Sequence, residues 1–246
     1  MRLHSYNIAY GGVGREDAWS QVIHESATDL VVLQEAINPA LVERLARATG
    51  MGAWAARTNH SLGFMSRLDV AHYAWHELPV TRHRYLEVVL AGSETRIFGV
   101  HLRAVHANWS ERRRVRELRA LLESIAQHRK GFHILTGDFN TLAPGALLDA
   151  RQLPFRLQTL LWLSGGQIRW ETIQIMLDAG YMDGYRMLHP DDDGFTFPAW
   201  NPHIRLDYVF LPIPFTDQLK SCKVLNGSPA TQSSDHFPLL SEIDIV

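Results

Sequence analysis

The chain is poor in cysteine and in charge of one sign. Cys222 is the one cysteine among 246 residues, which excludes an intramolecular disulfide. Its simplest interpretation is a small buried residue in a reducing compartment. The 24 lysines and arginines nearly balance the 26 acidic residues, and the formal net charge is −2. There is therefore no general basic field to gather nucleic acid, although a local phosphate site stays open.

Long apolar runs are also missing. The longest apolar stretch near the middle, residues 157–163, contains Gln158 and Thr159 and is far too short to cross a bilayer. The chain passes from Met1 straight into a strand-like segment, without a basic patch followed by an apolar run. We therefore expect a cytoplasmic protein with no membrane span. Nothing in the sequence indicates an oligomeric state.

Periodic apolar segments are present and predict an α/β protein. Eight strands are expected at 3–8, 30–33, 70–75, 85–90, 96–102, 132–136, 206–211 and 239–245, and three helices at 16–26, 109–128 and 171–179. No linker or internal repeat divides the chain, so we expect one domain over residues 1–246, with layered packing of mixed sheets.

A basic run at 112–116, followed by Arg119, has two interpretations. It suits a nucleic-acid surface, but helical register gives Val115, Leu118 and Leu122 the buried face and leaves the arginines in solvent. With a nearly neutral chain, a solvated helix face is favoured. Ser110 is the expected N-cap of this helix.

Six polar clusters lie at predicted strand ends, and each alone has an ordinary structural explanation. They are Asn7, Gln34-Glu35, His101, Gly137-Asp138-Phe139-Asn140, Asp207 and Asp235-His236. Asn7 suits a turn, Glu35 a strand exit, and the glycine-containing cluster an Asx turn. Taken together, carboxylates and amides suit a hard divalent cation. A buried Asp207 would need a partner, and His236 is the candidate, because such a pair favours the protonated imidazole.

In this order the six clusters resemble the endonuclease/exonuclease/phosphatase superfamily, from residue 3 to about residue 241. That group includes DNase I-like nucleases, abasic-site endonucleases, tyrosyl-DNA phosphodiesterases, sphingomyelinases and inositol polyphosphate 5-phosphatases. The resemblance implies a four-layered α/β sandwich, in which two packed mixed β-sheets are flanked by helices. It also implies divalent-metal-dependent hydrolysis of a phosphate ester.

The resemblance also implies roles for individual residues. Glu35 would be the principal ligand of Mg²⁺ or Mn²⁺, with Asn7 and Asp235 beside it, for one or two ions. Asp138 would orient and deprotonate the attacking water. The phosphate and that water would be contacted by Asn140, by His236 paired with Asp207, by His101 and by Arg103.

This chain departs from the family around His101. The DNase I-like nucleases pair this histidine with an acid, but the polar residues that we identify in the corresponding segment 59–67 are Asn59, His60 and Arg67. The role of His101 therefore stays open between a cationic and a hydrogen-bonding contact.

The expected substrate is a phosphodiester, with nucleic-acid ends or nucleotide-like esters first. A lipid or inositol phosphate is the alternative, and a noncatalytic binding protein on the same fold is a further one. Segments 151–170 and 194–201 flank the presumed cleft and are expected to decide specificity, although an amphipathic helix packed on the body is favoured for most of the first.

Overall fold

The computed structural model describes residues 1–78, 84–104, 108–146 and 170–245. Within these residues, the strands are β1 (Arg2–Asn7), β2 (Leu30–Gln34), β3 (Ala53–Ala55), β4 (Gly63–Ser66), β5 (Val70–Glu77), β6 (Arg84–Leu90), β7 (Arg96–His101), β8 (His133–Asp138), β9 (Tyr181–Asp183), β10 (Asp207–Pro212), β11 (Leu219–Val224) and β12 (Leu239–Ile243). The helices are α1 (Glu16–Glu25), α2 (Pro39–Ala48), α3 (Asn108–Ser124), α4 (Glu171–Asp178), α5 (Gly184–Leu188) and α6 (Ser228–Ser233).

The strands form two six-stranded sheets. Their orders are β11-β12-β1-β2-β4-β3 and β5-β6-β7-β8-β10-β9. Both sheets are mixed: β1 pairs parallel with β2 and antiparallel with β12, and β8 pairs parallel with β7 and antiparallel with β10. The predicted four-layered sandwich is therefore confirmed.

Three apolar clusters lie between the four layers. Leu3, Val32 and Leu86 belong to the cluster between the two sheets, which contains side chains of both. Trp19 packs in a second cluster with α2 and the outer face of the first sheet. Leu118 packs in a third cluster with α4 and the outer face of the second sheet. Because β2 is covered on both faces, all five of its residues are buried, as its continuous apolar run predicts.

The eight predicted strands and three predicted helices all appear, with shifted ends. Three short strands, the six-residue β11 and three helices were not predicted: β3, β4, β9, β11, α2, α5 and α6. The short strands give little periodic signal. Helix α2 did carry one, since the Asn38 side chain accepts a hydrogen bond from the Leu41 backbone N–H and Pro39 follows at the first helical position.

Two predictions around α3 are wrong. The helix begins at Asn108, so Ser110 lies inside it and is not the N-cap. Arg114 is not solvated: it is 3% exposed and its guanidinium binds the carboxylate of Glu111 at 2.7 Å. A buried arginine is tolerated because this carboxylate and the backbone carbonyl of Arg103, at 2.9 Å, satisfy its donors. Arg112, Arg116 and Arg119 are exposed, as expected of a solvated face.

The described part of the chain contains no helix that is both long enough and apolar enough to cross a membrane. Cys222 is fully buried, in agreement with its interpretation as a core residue.

Candidate active site

Strand register brings three of the expected residues into one row. His101 at the end of β7 is the parallel partner of Asp138 at the end of β8, and Asp207 at the start of β10 is the antiparallel partner of the same Asp138. In the other sheet, Asn7 ends β1 opposite Gln34, and Glu35 follows directly. The two sheets meet at this edge, because Asn7 Nδ2 donates a hydrogen bond to Asp138 Oδ2 at 3.1 Å.

Gly137 allows β7 and β8 to approach each other next to Asp138. Its φ is +149°, and a Cβ at this position would lie 1.8 Å from the Val100 carbonyl oxygen. The sequence predicted a glycine turn after residue 136, but β8 continues to Asp138 and Gly137 lies inside it. The glycine is needed for a close approach of two strands rather than for a turn.

The turn itself lies at Asn140, which has a left-handed φ of +50°. Its backbone N–H donates to Asp138 Oδ1 at 2.8 Å, an Asx turn, while its side-chain Nδ2 donates to the Leu102 carbonyl at 2.9 Å. Phe139 between them is fully buried and anchors the turn. The structural interpretation of this motif is thus correct, and it also orients the Asp138 carboxyl group.

Asp138 is the centre of the cluster and is 1% exposed. Burial raises the pKa of Asp138 to about 7, against the lowering effect of His236. The ring nitrogens His101 Nε2 and His236 Nε2 each lie 3.8 Å from Asp138 Oδ2. A carboxyl group with a pKa near neutrality, at the bottom of a polar cleft, is suited to exchanging a proton.

His236 makes the pairing that its sequence context predicts. Its Nδ1 lies 2.9 Å from Asp207 Oδ2, and both side chains are buried. Burial lowers the pKa of His236, but the negative charges of Asp207 and Asp138 outweigh it and raise the pKa to about 9. The imidazole is therefore protonated at neutral pH. The Phe197 ring lies beside it, with centroids 4.7 Å apart.

His101 has a different partner. Its Nδ1 is hydrogen-bonded to the hydroxyl of Ser61, which also accepts the Glu35 backbone N–H at 3.2 Å. Burial lowers the pKa of His101 to about 4, against the raising effect of Glu35. The imidazole is therefore neutral, which favours the hydrogen-bonding role for His101 over the cationic one.

The sequence did not identify Ser61 as a site residue, although it lies in segment 59–67, where DNase I-like nucleases would have the acidic partner of His101. A lone serine in a loop gives no distinguishing signal, because serines are frequent turn residues. Its contact with His101 depends on the packing of the loop before β4 against the end of β7.

The residues expected to hold a metal lie at one edge of the first sheet, where Asn7 ends β1, Glu35 follows β2 and Asp235 precedes β12. Glu35 is half-buried, has a left-handed φ of +60°, and its Oε2 accepts the Tyr10 backbone N–H at 2.6 Å. Asp235 is also half-buried, and the Ser234 hydroxyl beside it donates to the Asn7 carbonyl at 2.6 Å. The two half-buried carboxyl groups fit a hard divalent cation, whereas the Asn7 amide is buried and its oxygen accepts the Ala9 backbone N–H at 3.0 Å. A strained backbone at Glu35 is also typical of functional positions.

A second acidic group has the spacing of a metal site but not the chemistry. In the part of the chain that the structure describes, possible ligand atoms of Asp138, Asp207 and His236 lie within 4.8 Å of one another. A protonated imidazole has no lone pair for a cation, and the pKa of His236 is raised to about 9. A proton-carrying role suits this cluster, while Glu35, Asn7 and Asp235 remain the set that the sequence predicts to hold a metal.

Other predicted residues are placed less decisively. The Arg103 side chain is exposed, and only its backbone carbonyl is fixed, by Arg114. Of the proposed specificity segment 151–170, only Trp170 belongs to the described residues, and it is 40% exposed. The other segment, 194–201, does border the site, because Phe197 contacts His236 and the Ala199 N–H donates to the Asp235 carbonyl at 2.7 Å.

Comparison with known proteins gives a family and several solved structures with the same fold. The sequence matches the model of the Endonuclease/Exonuclease/phosphatase family over residues 4–236. No curated protein matches it in sequence. Among solved structures, it is similar to an AP endonuclease from Archaeoglobus fulgidus, with TM-score 0.76, 14% identity and 100% coverage of both chains. It is also similar to the 3′ phosphatase NExo from Neisseria (TM-score 0.71, 19% identity, 99% of both chains). A humanized D. rerio TDP2 gives a TM-score of 0.68 at 18% identity, over 98% of this chain and 97% of that one.

Proposed function

The chain belongs to the Endonuclease/Exonuclease/phosphatase family, and from that premise we propose a divalent-metal-dependent phosphodiesterase that acts on nucleic-acid ends or nucleotide-like esters. The observation that carries this proposal is the buried Asp138, which lies 3.8 Å from the ring nitrogens of both His101 and His236. Phosphoryl transfer needs positioning and charge stabilisation more than covalent chemistry. Asp138 as the proton acceptor, with His101 and His236 as hydrogen-bond donors on either side of it, suits that requirement.

Glu35, Asn7 and Asp235 are proposed to hold one or two Mg²⁺ or Mn²⁺ ions. A bound divalent cation supplies charge neutralisation for the phosphate oxygens. The Tyr10 backbone N–H, 2.6 Å from Glu35 Oε2, and the Ser61 hydroxyl, 3.2 Å from the Glu35 backbone nitrogen, hold this residue in its left-handed conformation. The protein therefore fixes the direction of the Glu35 carboxyl group before any ligand arrives.

Asp138 is proposed to take the proton of the attacking water. Its two oxygens are fixed by Asn7 Nδ2 at 3.1 Å and by the Asn140 N–H at 2.8 Å, so that it cannot rotate away. Asn140 would hold the water or a phosphate oxygen. His236, kept protonated by Asp207, would donate to the developing negative charge on the phosphate, while the neutral His101 would donate a second hydrogen bond. Arg103 would add an outer phosphate contact.

The proposed substrate class draws support from the neighbours and from the cleft. An AP endonuclease, a 3′ phosphatase bound to a DNA hairpin and TDP2 share the fold, although identities of 14–19% show the fold alone. The exposed Trp200, with 70% of its surface accessible, stands on the loop that borders His236 and suits contact with a base. A one-domain organisation and a cytoplasmic location, which the lone buried Cys222 favours, complete the proposal.

Hydrolysis of a chromogenic phosphodiester with added Mn²⁺ or Mg²⁺ tests the activity. We expect EDTA to abolish it, and Asp138→Asn to lower kcat by about 10²- to 10⁴-fold, the usual contribution of a general base. Asp191→Asn, at an exposed aspartate, is the matched control and should leave kcat unchanged. Full activity of Asp138→Asn would remove this residue from the reaction.

Calorimetric titration of Mn²⁺ tests the metal set without relying on turnover. Glu35→Gln should weaken binding about 10-fold or more, because it replaces a ligating carboxylate with an amide. Glu25→Gln, on the exposed face of α1, should not. An unchanged titration in Glu35→Gln would exclude Glu35 as a ligand.

A further inference from the structure

A cavity opens beside His101, and most of its lining residues have no role in the chemistry described above. Its volume is about 170 Å³. Besides His101, it is lined by Asn59, His60, Ser61, Leu62, Trp75 and Arg84. We call it the His101 side pocket. Because Ser61 forms part of its wall and also bonds to His101, anything bound there would lie next to the histidine that is proposed to contact the phosphate.

Trp75 gives the His101 side pocket a fixed aromatic wall. Its indole Nε1 donates to the Leu62 carbonyl at 2.9 Å, which holds the ring in one orientation. The guanidinium of Arg57 lies 4.2 Å from the centroid of the Trp75 ring, and the His60 ring meets the indole edge-on at 6.0 Å and 88°. A held aromatic ring of this kind is a low-entropy binding surface for a planar group.

The polar side chains of the pocket suit an uncharged ligand. His60 Nδ1 is buried and has no hydrogen-bond partner among the described residues. Burial, and then the positive charges of Arg84 and Arg57, lower the pKa of His60, so its imidazole is neutral and offers one donor and one acceptor. The Asn59 amide can also both donate and accept.

A second phosphate would fit this pocket less well than a base. The Arg84 guanidinium is already bound to Glu77 at 3.0 Å, and Arg57 is engaged with the Trp75 ring. A phosphate offers only acceptors, whereas a nucleobase edge carries both donors and acceptors. At about 30 Å³ for each water, the cavity of about 170 Å³ holds roughly five or six waters, which is room for one planar heterocycle and not for a base pair.

We propose that the His101 side pocket binds one unpaired nucleobase of the substrate, on the nucleotide adjoining the phosphate that reacts. The ring of Trp75 packs against the base, and His60 and Asn59 contact its edge. This inference rests on the proposed function and makes it more specific, because lipid and inositol phosphates have no such group.

Two chromogenic diesters with the same leaving group test the pocket. Thymidine 5′-(p-nitrophenyl phosphate) carries a base, whereas methyl p-nitrophenyl phosphate does not. We expect the wild-type enzyme to have the higher kcat/KM on the thymidine ester, and Trp75→Leu to lower this preference about tenfold, mainly through KM. Such a loss is within the range for removal of one base–aromatic contact.

Arg84→Gln provides a second variant in case Trp75→Leu does not fold. It lies on the pocket wall but forms only an exposed ion pair, so the fold should tolerate it. Because the Arg84 side chain forms part of the wall that the base would contact, we expect this variant also to lower the preference for the thymidine ester, by less than Trp75→Leu does. Arg44→Gln breaks a similar exposed pair, with Glu16 at 3.1 Å, away from this pocket, and should not change the preference.

A binding measurement separates failure of the pocket from failure of the catalytic proposal. Calorimetry on the intact, metal-free protein compares deoxyadenosine 5′-monophosphate with deoxyribose 5-phosphate, which lacks the base. Tighter binding of the nucleotide, lost in Trp75→Leu, supports the pocket even if neither diester is hydrolysed. Equal binding of the two compounds, or an equal loss for both diesters in Trp75→Leu, overturns the pocket while leaving phosphodiester hydrolysis intact.

Discussion

Each side of the candidate site has a histidine at the same distance from Asp138, but one histidine is protonated and the other is neutral. His236 Nε2 and His101 Nε2 both lie 3.8 Å from Asp138 Oδ2. The pKa of His236 is raised to about 9, because Asp207 and Asp138 outweigh the effect of burial, whereas burial lowers that of His101 to about 4. One imidazole is a cation at neutral pH and the other is not.

The difference lies in what each Nδ1 contacts. On one side it is the carboxylate of Asp207, at 2.9 Å, and on the other it is the hydroxyl of Ser61. A carboxylate stabilises the added proton by its charge, while a hydroxyl offers only a dipole and leaves the desolvation of the cation uncompensated. The second neighbour of a histidine, rather than its distance from the reacting group, thus sets its charge.

The largest expected effect comes from removing the carboxylate that distinguishes the two sides. Asp207→Asn should lower kcat on a phosphodiester by about 10²- to 10⁴-fold, because His236 loses the partner that orients and charges it. Steady-state kinetics at saturating metal measure this. The double variant with His236→Gln should be no worse than the poorer single variant. Multiplying losses would mean that the two residues act independently.

Ser61→Ala tests the other side and should cost much less. Loss of its neutral hydrogen bond to His101 is worth about 0.5–1.5 kcal/mol, so kcat at saturating metal should fall by roughly twofold to tenfold. Loss of its contact with the Glu35 N–H should weaken metal binding instead. Ser61→Thr keeps the hydroxyl and should restore most of the rate. A loss as large as that in Asp207→Asn would show that both histidines depend equally on their partners, contrary to the comparison.

Phe197→Leu should lower kcat less than either substitution above, through its effect on the protonated His236. The ring centroids are 4.7 Å apart, and an aromatic ring beside a cation contributes about 0.5–1 kcal/mol. We therefore expect kcat to fall about twofold to fivefold. Phe195→Leu, which replaces another half-buried ring of the same segment, provides the matched comparison for general loop effects. Equal kcat in Phe197→Leu and wild type would argue against a cationic His236.

His4 extends the comparison to a histidine outside the site, and its replacement should leave activity unchanged. Its Nε2 lies 3.3 Å from the Thr28 hydroxyl, and burial lowers its pKa from 6.5 to about 3. Between these two values the unfolded chain binds a proton that the folded chain excludes. The free energy of unfolding therefore falls by about 1.4 kcal/mol per pH unit as the pH drops below 6.5.

In His4→Gln, this fall in the free energy of unfolding with decreasing pH should disappear. Urea unfolding at several pH values between 4 and 7 measures it, with the wild-type protein as reference. The stability conferred by a neutral His4 is present above pH 6.5 and is lost toward acid, so the variant should be relatively more stable at low pH. Parallel stability curves for the two proteins would show that His4 is not kept neutral by burial.

Much of the fold was open to prediction because its strands carry strong local patterns. The apolar runs at 30–33 and 132–136 point to buried strands without any tertiary information, whereas Gly137 predicts a turn but lies inside β8. The missed α2 carried an N-cap signal at Asn38 and could also have been found. By contrast, β9 has three residues and β11 an irregular burial pattern, and their pairing depends on neighbours distant in sequence.

The sequence by itself determined the chemical inventory of this protein and the order in which it occurs. Asn7, Glu35, Asp138, Asp207 and Asp235-His236 suffice for the resemblance to a metal-dependent phosphoesterase family, because motif order and residue type are local properties. Only the tertiary structure decided which of these side chains contact each other. Strand register sets His101, Asp138 and Asp207 in one row. Loop packing places the Ser61 hydroxyl against His101 and forms the His101 side pocket beside Trp75. Charge state and cavity shape depend on contacts between distant parts of the chain, which local sequence patterns do not specify.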